Sequence, residues 1–86
     1  MNQLRENIIN QVIRSVDADL IEHLIEDSLQ KLTDKSVHPF IILRFTDKLK
    51  FTLSEIEQSG ITEKEKINVT KALLVLHNYE VKKIPG

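Results

Sequence analysis

Apolar residues return along this chain at intervals of three and four, the step that keeps side chains on one face of an α-helix. From Leu4 the series runs Ile8, Ile9, Val12, Ile13 and Val16. After Asp17-Ala18-Asp19 it resumes as Leu20, Ile21, Leu24, Ile25, Leu29 and Leu32. At about 100° of turn per residue, the first set fills one half of a helical wheel and the second set the opposite half. A single straight helix would then carry its apolar face on opposite sides at its two ends. The pattern predicts a break near Asp17-Ala18-Asp19 and an αα-hairpin of helices over 3–16 and 19–33, with one continuous helix as the alternative. Asp19 and Glu22 stand at capping-box spacing, and Ser15 and Asp17 are further cap formers at the joint.

Thr33-Asp34-Lys35-Ser36 is polar and predicts the next joint. A helix over 37–49 would start at Ser36 with Pro39 in its first turn, where the missing N–H costs nothing. Ile42, Phe45 and Leu49 form its stripe, with Ile41 beside them. The competing pattern is a β-hairpin, with Phe40–Phe45 and then Leu49, Phe51 and Leu53 in alternation, but Asp47-Lys48 makes a poor primed turn. Thr52-Leu53-Ser54-Glu55 reads as a capping box for a short helix over 53–59. Gly60 would close that helix in the left-handed region, with Ile61 as the apolar contact after it. A second box, Thr62-Glu63-Lys64-Glu65, opens a helix over 63–78 whose stripe is Val69, Leu73 and Leu76, with Ala72 beside them and Ile67 and Leu74 widening it. Leu73-Leu74-Val75-Leu76 is apolar nearly all round, which places this helix centrally or at an interface. Asn78 is the expected terminator, and Glu80–Ile84 the expected extended tail or short strand.

Inside the chain the only proline and glycine are Pro39 and Gly60; Pro85 and Gly86 stand at its end. So few turn formers leave little room for strands. The expectation is an all-α fold, a single helical domain over 1–86 with four or five helices and a short extended C-terminal tail. With 86 residues and no cysteine, neither a disulfide nor a thiolate site is available. Small domains without such staples often gain burial by associating. The net charge is −1, but residues 1–36 hold seven acids against four bases and residues 37–86 six against eight. That asymmetry is short of the basic patch of a duplex binder; it reads as an ordinary solvated surface, with a head-to-tail orientation of two copies as the alternative. The start lacks the apolar core of a signal peptide, and Phe40-Ile41-Ile42-Leu43 is far too short to span a membrane, so a cytoplasmic protein without membrane contact is expected.

Chemistry-bearing constellations are sparse. No Gly-x-Ser-x-Gly and no glycine-rich phosphate loop occurs. Asp19, His23 and Glu26 share a helix face, but one helix supplies too few ligands for a metal, and the set reads as a solvated acidic surface. His38 before Pro39 and His77 in a last helical turn read as structural. No enzyme, metal or cofactor is expected.

Thr52-Leu53-Ser54-Glu55-Ile56, Gly60-Ile61-Thr62, the following helix and Tyr79-Glu80-Val81-Lys82-Lys83-Ile84 together resemble the helix-turn-helix core of winged-helix DNA-binding proteins. The resemblance covers the last third of the chain. It implies that Lys64, Lys66, Asn68 and Lys71 face a major groove and that Lys82 and Lys83 approach phosphates. Glu63 and Glu65 would then open the recognition helix against phosphate oxygens. A small DNA-binding regulator is accordingly the second reading.

The first reading is a non-enzymatic helical interaction module, associating with itself as a homodimer or serving as a small subunit beside another helical protein. Ile and Val between residues 4 and 16 lower helix propensity, so that segment depends on burial from outside itself. The expected interface is Ile8, Ile9, Val12, Ile13 and Val16, together with Leu73 and Leu74.

Overall fold

Each joint of the fold is made by a local hydrogen-bonding device. The computed structural model describes residues 2–83. Among these it contains four helices and no strand: α1 (Asn2–Arg14), α2 (Asp19–Asp34), α3 (Pro39–Glu57) and α4 (Glu63–Lys83). The break between α1 and α2 falls where the two apolar semicircles meet. Ala18, not Asp19, is the cap of α2 and makes no side-chain cap bond; Asp17 Oδ1 accepts the Asp19 N–H at 2.9 Å just before the helix, and Asp19 and Glu22 lie inside the first turn.

The joint from α2 to α3 differs from the expected one. Ser36 does not begin a helix; it ends α2 in the left-handed region at φ 62°. The Val37 N–H reaches the Leu32 carbonyl at 3.1 Å and the Ser36 N–H the Thr33 carbonyl at 2.9 Å, a Schellman closure without glycine. His38 then caps α3, its Nδ1 accepting the Phe40 N–H at 3.1 Å, with Pro39 in the first turn. Gly60, at φ +85°, serves the joint between α3 and α4; a Cβ there would meet open space, so the backbone conformation alone favours glycine. Thr62 and Glu65 form a reciprocal capping box, Thr62 N–H to Glu65 Oε1 at 2.9 Å and Glu65 N–H to Thr62 Oγ1 at 3.2 Å. The Thr62 backbone and then its hydroxyl hold the Glu65 carboxyl below its usual range.

Two expected boundaries are corrected. Segments 37–49 and 53–59 are one helix, because Leu49, Leu53 and Ile56 continue one stripe with no breaker between them. Thr52 turns its hydroxyl back to the Lys48 carbonyl at 3.0 Å instead of capping a new helix. Asn78 does not end α4, which continues through the expected tail to Lys83. Tyr79 packs against the core, and Glu80 Oε1 meets Lys50 Nζ at 2.6 Å, a charge pair outside hydrogen-bond geometry that ties the extra turn to α3. The end of the expected tail, Ile84 to Gly86, lies outside the described residues.

The core is almost wholly aliphatic. Ile8 and Val12 of α1, Ile21, Ile25, Leu29 and Leu32 of α2, and Ile42, Phe45, Leu49 and Leu53 of α3 close around Val69, Ala72, Val75 and Leu76 of α4. α4 is the hub, packing on each of the other three helices and most extensively on α3. Burial of this set supplies the main driving force for folding. Among the described residues, two polar side chains are buried with it, and both are hydrogen-bonded. Thr46 Oγ1 donates to the Leu43 carbonyl at 2.8 Å, and Asn68 Nδ2 donates to the Ser15 carbonyl at 2.9 Å. No helix among the described residues is long and apolar enough to cross a membrane.

Candidate protein-interaction surface

α4 is apolar on two sides. Val69, Ala72 and Leu76 face inward and are fully covered, whereas Ile67, Leu74 and Val81 are 59, 53 and 60 % exposed. These three are seven residues apart, so they form one line along the helix in steps of about 10.5 Å, the spacing of a seam between packed helices. The Asn68–Ser15 hydrogen bond holds the joint between α1 and α2 against the start of α4. Val16, the residue after Ser15, is 78 % exposed.

Beside this line α2 and α4 enclose a groove of about 260 Å³. Leu29, Val75 and Tyr79 contribute to its lining and Leu74 to its rim. Glu22 and Glu26 stand on the α2 side, Lys71 and Lys82 on the α4 side. Burial pushes the Tyr79 phenol above its ordinary value, opposed in part by a hydrogen bond with Thr33, so the ring remains neutral. The lining is thus mixed: Leu29, Leu74 and Val75 stand among Gln30, Thr33, Asn78, the neutral phenol and the facing charges. Among the described residues, no group of three His, Cys, Asp or Glu side chains is placed to hold a metal ion. His23 with Asp19 and Glu26 is a solvated face of α2.

A second surface lies on α3. Phe40, Ile41 and Phe51 are 70, 47 and 67 % exposed, and the exposed cations Arg44 and Lys48 fall between them on the same stripe. Arg5 of α1 joins Arg44 and Lys48 around a cleft of about 150 Å³ that includes Ile41 and Phe45. The two surfaces share no lining residue.

The expected interface divides. Ile8 and Val12 are core residues, 1 and 0 % exposed, covered by the helices of the same chain and unavailable to a partner; this corrects their assignment. Ile9, Ile13 and Leu73 are half-buried, whereas Val16 and Leu74 are open. Ile67 and Val81 complete the line with Leu74. Their sevenfold spacing is visible in the sequence, but Val81 reads as tail once Asn78 is taken as the end of the helix.

The residues that the helix-turn-helix resemblance assigns to DNA are scattered. Asn68 is 1 % exposed and committed to Ser15, so it contacts no nucleic acid; this too is a correction. Lys71 and Lys82 line the groove opposite Glu22 and Glu26. Lys64 and Lys66 are exposed two residues apart and point to different sides of α4. Residues 79–83, which the resemblance reads as a strand, continue the helix, with Lys83 its last residue. Compared with known proteins, the chain matches no family model, no curated protein and no solved structure.

Proposed function

We propose that this chain is a non-enzymatic helical interaction module that associates with itself, using the outward side of α4. The observation that supports this reading is the line Ile67, Leu74 and Val81 beside a groove between α2 and α4. Singly exposed aliphatics are ordinary, but three at heptad spacing on the hub helix form a surface whose contact with water is unfavourable and whose geometry fits a second helix. Lys71 and the carboxylates of α2 supply a charged border of the kind that surrounds protein contacts.

Sedimentation velocity over a concentration series tests the proposal. The wild-type chain is expected to increase in mass with concentration, and Leu74→Glu to remain monomeric with an unchanged far-UV spectrum. A wild-type chain that stays monomeric at millimolar concentration would overturn it.

A further inference from the structure

Resting on the self-association just proposed, we infer that the contact is head-to-tail: the outer face of α3 in one copy occupies the groove between α2 and α4 of the next. Both sides of this contact are visible in one chain. The donor face presents two large aromatic side chains, Phe40 and Phe51, with Arg44 and Lys48 between them. The receiving face offers a groove of about 260 Å³ of mixed polar and apolar lining, with Leu74, Val75 and Tyr79 among its residues, a size that takes an aromatic ring.

The charges match in kind, and for the central pairs in spacing. Arg44 and Lys48 are one helical turn apart, and so are Glu22 and Glu26. At about 1.5 Å per residue each pair spans roughly 6 Å, so two helices lying alongside can join them both. The carboxylates flanking the donor stripe, Asp47 and Glu55, have counterparts in Lys71 and Lys82 on the α4 wall. Among the described residues none of these eight groups has an ion-pair partner within its own chain; the ion pair there is Lys50 with Glu80. Arg44 and Lys48, like Glu22 and Glu26, are like charges at the i, i+4 spacing, which weakens an isolated helix and is relieved by an opposite surface. An isologous α4-to-α4 contact would instead leave Phe40 and Phe51 in water.

Because donor and receiver share no residue, each copy can use both at once. The association then continues past two copies, as a ring or an open chain. Charge reversal tests this. Arg44→Glu with Lys48→Glu forms one variant, and Glu22→Lys with Glu26→Lys the other; all four positions are exposed, so the fold is retained and far-UV circular dichroism checks it. Each variant alone is expected to weaken association about a hundredfold, since like charges then meet across the contact. Mixing the two in equal amounts restores association beyond the monomer, because the donor of each variant again faces an opposite receiver on the other. If the Arg44/Lys48 variant associates like wild type while Leu74→Glu does not, self-association stands and the head-to-tail contact is wrong. Failure of the mixture to form any complex larger than the monomer also overturns the head-to-tail contact. A wild-type chain that is monomeric throughout overturns both proposals.

Discussion

The two sides of α4 carry similar residues to different ends. Inward, Val69, Ala72 and Leu76 are sealed by three helices, and Asn68 anchors the joint between α1 and α2. Outward, Ile67, Leu74 and Val81 are aliphatic as well, yet more than half of each is open to water. Hydrophobicity along the sequence is therefore a poor guide to which side makes the core. What distinguishes the sides is how many neighbours the chain can bring to each. The inner side accounts for folding, and the outer side is apolar surface beyond what folding uses.

The largest effect that could break this contrast comes from truncation on each side. Leu76→Ala should cost about 2–5 kcal/mol, because a cavity is left among fixed neighbours. Leu74→Ala should alter monomer stability by less than about 0.5 kcal/mol. Chemical denaturation at low protein concentration measures both, and equal losses would erase the distinction.

A smaller effect concerns the polar anchor. Asn68→Ala deprives the Ser15 carbonyl of its donor and should cost about 1–3 kcal/mol. It should also loosen the joint between α1 and α2, seen as faster amide exchange at Leu20 and Ile21, whose N–H groups bond within that joint. Unchanged exchange there would mean that the anchor is incidental.

The smallest effect lies at the cap of α4, which supports both sides equally. Thr62→Ala should cost about 1 kcal/mol and lower the melting temperature by about 4–8 °C. Glu65 adds a pH signature. Its carboxyl is held below its usual value in the folded chain, so its contribution is present above the ordinary carboxylate range and is lost as pH falls through the depressed value. Glu65→Gln keeps the box without a titrating group. The stability difference between wild type and Glu65→Gln should thus shrink on acidification, and a difference independent of pH would exclude the linkage.

Much of the fold is written locally. The opposed apolar semicircles of residues 4–16 and 20–32 require a break, because a straight helix cannot turn its greasy face through half a circle. Pro39 starts a helix, Gly60 separates two, and Thr62 with Glu65 closes a reciprocal box; each depends on neighbours within a few positions. Such features are set by dihedral preference and short-range hydrogen bonds, which do not need the rest of the molecule.

Where cap-forming residues occurred without a cap, local reading failed. Thr52 is followed by Glu55 at the right spacing, yet burial of Leu49, Leu53 and Ile56 on one face outweighed the cap and kept α3 whole. Asn78 has the character of a terminator, but Tyr79 against the core and Glu80 beside Lys50 carry α4 onward. Ser36 took a left-handed conformation, rare outside glycine, because α2 and α3 had to turn there.

The chain's own residue order thus dictated helices, most of their ends and an excess of aliphatic side chains, since these follow from torsional preferences and spacing. Packing alone selected which aliphatics stay in water. Ile8 and Val12 vanished beneath α4 while Leu74 and Phe51 did not, because exposure depends on partners brought together from distant positions, as Ser15 and Asn68 are, and no local rule encodes that choice.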